Sequence, residues 1–531
     1  MFSIDQAGYL RIFDGTVDIG AYELQDIDTT NEIQLPICGL SCTPHSSLPL
    51  IEPEPVSKAD SLLSLEVEGV EVRLTNDYAT LILENDDVNP LTIAQAQALM
   101  KNIEQQTGVR PAVLYFTFVP GSSTPATPPH LYESPATLTH ENALERVFPI
   151  GLTPFSEPRR TAKPARASLP VPFNQAQLTQ VQELGINNDK GDDQLQLILV
   201  TPEDYPIVRH PLGITRSQVA QQVQAFRTGL NSVVGDLYLP ASQQLYDWLI
   251  RPLQDELQAL EIEHLSIVAD EGLRSLPMAA LHDGEGFLVE DYSMGLIPSL
   301  SLIDWRYQPL HNATILAMGA SEFAEQPPLP AVPIELNLIT ENPNQKYLNA
   351  DFTYGNLRSQ ANQRQFQILH LATHARFRKG APDAAYIQLW GEDDLQLKGL
   401  REFNLYRDPA LELLVLSACD TAVGDATAEL GFAGAALQAG VKSVLASLWQ
   451  VSDLGTLALM NSFYTELADP DVTIKAEALR QAQLRLLNRE ISVQQGYLGE
   501  VALPSDLADY SNTDLSHPYY WSAFTLVGSP W

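Results

Sequence analysis

The sequence predicts an α/β fold built on a mostly parallel sheet. Two observations carry this. Short Leu, Val and Ile runs recur along the chain, among them LQLILVT from Leu195, HLSIVAD from His264, FQILHLAT from Phe366 and the run Leu413 to Leu416. Continuous apolar runs of that length, ended by small or polar residues, are the pattern of parallel strands buried on both faces. Between them lie stretches with apolar positions every three to four residues, so strands and helices alternate as in a helix-covered parallel sheet.

Composition bounds what such a chain does. At 531 residues it exceeds one ordinary domain, and about 150 residues per unit gives roughly three. Its 66 acidic and 31 basic residues leave a formal net charge of -35 at pH 7. Phosphate binding needs clustered Lys and Arg, so nucleic acid and anionic membrane are not expected as partners, whereas basic protein or peptide substrates are. Three cysteines are too few for a disulfide framework. Cys38 and Cys42 are spaced for a local bridge or half a metal site, but no second Cys/His pair lies near them, so no metal is expected. The chain has no apolar stretch of about 20 residues, and its N-terminus lacks a basic region followed by an apolar run, which predicts a cytoplasmic location.

Taken in order, residues 1–30 contain GYLRIFDGTVDIGAYELQ, which resembles the last coil of a right-handed parallel β-helix of the kind found in secreted surface proteins. A single coil cannot bury its own face. The segment is therefore expected to be a remnant or tail, and the alternative location is that of a fragment of a secreted protein. Residues 31–60, rich in Pro, Ser and Glu, read as a linker. Residues 61–190 form a smaller N-terminal α+β region. In it SLEVEGVEVRLTN and ATLILEN alternate as strands, LTIAQAQALMKNIEQQTG is a helix presenting Ile93, Ala96, Met100 and Ile103 and stopping at Gly108, and PAVLYFTFVPG is a strand. Residues 121–170 are a Pro/Ser/Thr-rich insertion carrying the basic run Arg159 to Arg166, exposed and accessible to a protease.

Residues 191–531 are the main domain. HPLGITRSQVAQQVQAFRTGL is a helix, and LPASQQLYDWLIRPLQDELQAL is an amphipathic pair with Leu239, Leu245, Trp248 and Leu249 as its stripe. Helices are also expected at PIELNLIT, DLGTLALMNSFYTEL and TIKAEALRQAQLRLL, and strands at VKSVLASLW and from Trp521 to Val527.

The chemistry is expected where two strands end. The run Leu413 to Leu416 leads through Ser417 and Ala418 to Cys419, and FQILHLAT presents His374. Two adjacent parallel strands would bring thiol and imidazole to one sheet edge, which is where open α/β sheets bind ligands. The His comes first by roughly 50 residues, the order and separation of a Cys nucleophile and His base in caspases.

These residues also carry a resemblance. HLATHARF, LLVLSACDTAVGD, ELGFAGAALQAGVKSVLASLWQVSD and HPYYWSAFTLVG are similar to motifs of the CHAT family of caspase-like cysteine peptidases, from about residue 190 to the end. The resemblance implies a caspase-like α/β/α sandwich and a cysteine endopeptidase that needs no cofactor. It matches Cys419 to the nucleophile, His374 to the general base and His370, four residues earlier, to a structural position. It also implies an oxyanion hole from the backbone N–H groups of Cys419 and Ala375, a contribution of roughly 3–4 kcal/mol per donor. The family often has Gly where this chain has Ala375, and a left-handed backbone there would strain an Ala. LWQVSD, which closes the strand after the one bearing Cys419, is similar to the LW-x-V-x-D stretch of separases, implying that Asp453 lines a pocket for a substrate Arg or Lys. The competing role for Ser452 and Asp453 is to cap the following helix. The alternative function is an inactive caspase-like module used for signalling or scaffolding.

Overall fold

The structure is a computed structural model of the chain. It describes residues 3–4, 10–13, 16–17, 67–76, 90–120, 191–376, 386–405, 411–418 and 434–531, apart from single positions and residues 509–512 within those ranges.

Eleven strands form one sheet: β1 (Pro111–Val119), β2 (Gln194–Val200), β3 (Ile207–Arg209), β4 (His264–Ala269), β5 (Ser293–Leu296), β6 (Ile315–Gly319), β7 (Lys346–Leu348), β8 (Ile368–Ala372), β9 (Leu413–Ser417), β10 (Ser443–Ser447) and β11 (Phe524–Gly528). Their order across the sheet is β7-β6-β8-β9-β10-β11-β5-β4-β1-β2-β3. Seven neighbouring pairs are parallel and three antiparallel, so the expected mostly parallel α/β sheet is present. Every residue of β8, β9 and β10 is buried. Both faces are therefore covered, which explains why these strands read as unbroken apolar runs. From β7 to β10 the strands run in one direction, and β11 reverses it, so the C-terminal ends of β6, β8, β9 and β10 share one edge.

The apolar run at 111–119 lies in this same sheet, between β2 and β4. The hydrogen-bonded sheet is therefore continuous across residue 190. Ser3–Ile4 pairs antiparallel with Leu10–Phe13, which pairs antiparallel with Thr16–Val17. The linker 31–60 and the insertion with its basic run lie outside the described residues. No helix among the described residues is long and apolar enough to cross a membrane.

One element differs in kind from its expectation. Residues 67–76, read as an alternating strand, are a helix, α1. Val67, Glu71, Leu74 and Thr75 are its buried positions, spaced at three and four as a helix face requires. The Glu71 carboxylate accepts hydrogen bonds from the Tyr115 hydroxyl (2.7 Å) and from the Ser301 N–H (2.9 Å) and hydroxyl (2.7 Å). An acid that finds three buried donors counts as an inward residue, which alternation of apolar and charged residues does not reveal.

The remaining helices used below are α2 (Ile93–Thr107), α3 (Arg216–Leu230), α4 (Leu239–Leu249), α5 (Val332–Ile339), α6 (Asp453–Leu467) and α7 (Lys475–Leu487). α2 and α3 start in capping boxes, Thr92 with Gln95 and Thr215 with Gln218, and α2 stops at Gly108 in the left-handed conformation. The expected final strand from Trp521 begins later, at Phe524, because Pro518–Trp521 makes a helical turn first.

A close approach organises the edge where β6 and β8 end. A Cβ on Gly319, the last residue of β6, would lie 2.5 Å from the Ala372 carbonyl oxygen and 2.9 Å from Val332 Cγ1. The next residue, Ala320, donates its N–H to that same carbonyl at 3.0 Å. Gly319→Ala is expected to destabilise the fold by about 1–3 kcal/mol, because the obstacle is backbone rather than a movable side chain. A lower urea midpoint at unchanged slope would register this. An unchanged midpoint would mean that the two strand ends can separate freely.

Candidate active site

β8 and β9 pair in parallel with Ala372 opposite Ser417. The Thr373 N–H donates to the Ser417 carbonyl at 3.3 Å, carrying the ladder one residue further. His374 follows two residues after Ala372, and in the sequence Cys419 follows two residues after Ser417. Cys419 itself lies outside the described residues, as do Cys38 and Cys42. The end of β9 that precedes it is firmly held. Ser417 and Ala418 are buried, and the Ser447 hydroxyl of β10 donates to the Ala418 carbonyl at 2.5 Å.

His374 is half-buried at the sheet edge. Its Nε2 lies 2.8 Å from the Pro327 carbonyl oxygen, and its ring packs on Phe323 with centroids 4.5 Å apart. A carbonyl only accepts, so Nε2 carries the proton in this bond, and a neutral ring then has its lone pair at Nδ1. The His374 carbonyl accepts from the Gln388 N–H at 2.9 Å, and the Thr373 hydroxyl donates to the Gln388 carbonyl at 2.8 Å. The side-chain amides of Gln326 and Gln388 are also hydrogen-bonded. The segment between β6 and α5 is thus fastened over the imidazole from two directions.

Ala375 lies in the short strand Ala375–Arg376, opposite Ile387. The described non-glycine residues with positive φ are Glu261, Asn349, Arg489 and Gln495. Ala375 is not among them, so Ala in place of the family's usual Gly brings no left-handed strain here.

Asp453 stands at the start of α6 rather than at the end of a strand, since β10 stops at Ser447. The capping role belongs to Ser452, whose hydroxyl accepts from the Gly455 N–H at 3.3 Å. Asp453 Oδ2 instead accepts from the Ala331 N–H, 2.9 Å away, just ahead of α5. Burial pushes its carboxyl up to about 6; the charge of Glu335 adds to this and the Ala331 bond opposes it. Among the described residues no hydrogen bond joins Asp453 to His374. They are linked through the chain, because Pro327 and Ala331, which hold one each, are four residues apart.

His370 is wholly buried between α5 and α6, in accord with a structural position. Its Nδ1 is 3.0 Å from the Tyr464 hydroxyl. Its Nε2 is 3.0 Å from Glu335 Oε1, although that pair lacks the alignment of a hydrogen bond. Pro327 and Phe323 carried no sequence signal, because any residue supplies a carbonyl and Phe323 sits outside every periodic run. Glu335 did carry one, as the single acid inside the apolar stretch VPIELNLI.

Residues 239–529 match the family model of the CHAT domain, beginning later than residue 191. Among solved structures, the chain is similar to the Saccharomyces cerevisiae separase–securin complex at 13% identity, covering 54% of this chain and 18% of that chain with a TM-score of 0.34. It is likewise similar to the Arg specific cysteine proteinase gingipain R at 13% identity, covering 59% of this chain and 73% of that chain with a TM-score of 0.34. For the complex of Porphyromonas gingivalis RgpB pro- and mature domains the figures are 12% identity, 59% and 76% coverage and a TM-score of 0.34. The chain therefore spans under a fifth of the separase chain. Comparison with curated proteins found no match. Because the matched region is more than half of the 531 residues, the chain belongs to the CHAT domain family.

Proposed function

We propose that the protein is a caspase-like cysteine endopeptidase in which Cys419 attacks the scissile carbonyl and His374 takes and returns the proton. The observation that carries this reading is the register of β8 with β9, which gives His374 and Cys419 the same two-residue offset past paired strand ends. The Pro327 carbonyl supports it by holding the imidazole through Nε2, so that Nδ1 is the atom free to act as base. The backbone N–H groups of Cys419 and Ala375 are assigned to the oxyanion, and Asp453 to a substrate Arg or Lys, whose guanidinium or ammonium a carboxylate receives by charge-assisted hydrogen bonds. The acidic surface favours basic protein segments as substrates. An electrophilic peptide probe with mass spectrometric location of the adduct tests the reading. Modification of Cys419 ahead of Cys38 and Cys42 supports it, and equal modification of all three would favour a non-catalytic scaffold.

The basic run Arg159 to Arg166 is assigned as a site of self-processing by the same activity. Incubated wild-type protein is expected to yield a fragment pair with its new terminus in that run, and Cys419→Ala none. Identical gels for the two would leave the run a solvated linker.

A further inference from the structure

A cavity of about 260 Å³ lies between α5 and α6, remote from the sheet edge that bears His374. Ile315 and Ile368, the first residues of β6 and β8, line its base, and Leu338 and Met460 line its sides. Glu335 and Tyr464 supply its inner polar groups. Tyr464 is some 11 residues along α6 from Asp453, or ~16 Å at 1.5 Å per residue, whereas Glu335 lies four residues past Ala331, the partner of Asp453, so the acidic end of the cavity is the end nearer the proposed specificity site.

Its electrostatics are one-sided. Glu335 is 3% exposed, and its Oε1 has no hydrogen-bond partner among the described residues. The Tyr464 hydroxyl is engaged by His370 Nδ1, and His370 Nε2, though 3.0 Å from the carboxylate, is out of alignment with it. No lysine or arginine is among the described residues that line the cavity. A buried carboxylate is stable when a cation or several N–H donors face it; His311 and Asn461 also line the cavity, but neither hydrogen-bonds Glu335 Oε1, whose ion-pair partner is the misaligned His370, and open space adjoins the carboxylate.

We propose that this cavity is a binding site for a small organic cation, a primary amine or guanidinium on a short apolar stem, with the cationic head at Glu335 and the stem along Ile315, Leu338, Ile368 and Met460. At ~30 Å³ per water-sized group, the volume admits roughly eight such groups, the scale of pentylguanidinium. An inorganic cation would leave the apolar walls uncovered, and an anion would meet the Glu335 charge. The occupant is therefore both cationic and partly aliphatic.

Calorimetric titration of the full chain with pentylguanidinium tests this, with pentylurea as an uncharged molecule of the same shape. The titration is run in the Asp453→Asn background, so that binding at the proposed specificity site does not contribute. One saturable event is expected for pentylguanidinium and none for pentylurea. Adding Glu335→Gln should weaken pentylguanidinium at least tenfold. Leu338 is 41% exposed at the mouth, so Leu338→Arg should weaken pentylguanidinium similarly without disturbing the interior, and it carries the test if Glu335→Gln does not fold. Absence of saturable binding, equal binding of the two molecules, or unchanged pentylguanidinium affinity in folded Leu338→Arg overturns the proposal.

Discussion

Replacement of His374 by alanine is expected to lower kcat/KM for peptide hydrolysis by roughly 10²–10⁴, the usual contribution of a positioned general base. It should also reduce the alkylation rate of Cys419 to that of Cys38 and Cys42, because a thiol without an imidazole partner keeps its ordinary pKa and is mostly protonated at neutral pH. His374→Gln separates chemistry from packing. A glutamine amide can still donate to the Pro327 carbonyl, which is 2.8 Å from His374 Nε2 in the native protein, but it cannot accept a proton. Both variants should therefore fold alike and fail alike. A glutamine variant with near-native alkylation would show that the ring only fills space under Phe323.

Asp453→Asn is expected to move stability and activity in opposite directions. The Asn amide oxygen can still accept from the Ala331 N–H, which is 2.9 Å from Asp453 Oδ2, while the charge is gone. In the folded protein burial, with the charge of Glu335, raises the Asp453 carboxyl to about 6, against about 3.9 in an unfolded chain. Between these values the native state holds a proton that the unfolded state has released. Stability is therefore lost as pH rises from about 4 to about 6, and the loss is complete above that window. Removing the ionisable group should make the protein more stable at pH 7, on the order of 1–2 kcal/mol after allowance for its partial exposure, and should flatten that part of the pH profile. Cleavage after Arg or Lys should weaken by roughly 1.5–3 kcal/mol, the scale of a hydrogen bond to a charged group. On the proposed activity, native kcat/KM for such substrates should rise through pH 6 as Asp453 ionises, and the variant should lack that rise. Cleavage after acidic or small apolar residues, equal in both proteins, would leave Asp453 as a brace between α5 and α6 alone.

The strands that form the functional edge were legible because a strand buried on both faces must be apolar at every position, a local property that β8, β9 and β10 display. α2 and α3 were legible for a similar reason, since caps and apolar stripes lie within one turn or one helix length. α1 was misread because Val70, Val72 and Leu74 satisfy alternation and Val67, Val70, Glu71 and Leu74 satisfy a helix. The tie was broken by Tyr115 and Ser301, 44 and 230 residues away from Glu71.

The site divides along the same line. By itself the sequence determined which strands are buried, that one of them leads to His374 and another to Cys419, and that the surface is strongly acidic, because each of these is written in adjacent residues or in composition. Only the tertiary structure decided that Pro327 receives Nε2 of His374, that Ser452 caps α6 while Asp453 reaches back to Ala331, that Ala375 needs no left-handed backbone, and that Glu335 faces His370 and an open cavity. Each of these depends on where distant segments meet once the strands have crossed over, and hydrogen-bond geometry across such a meeting has no counterpart in residue spacing.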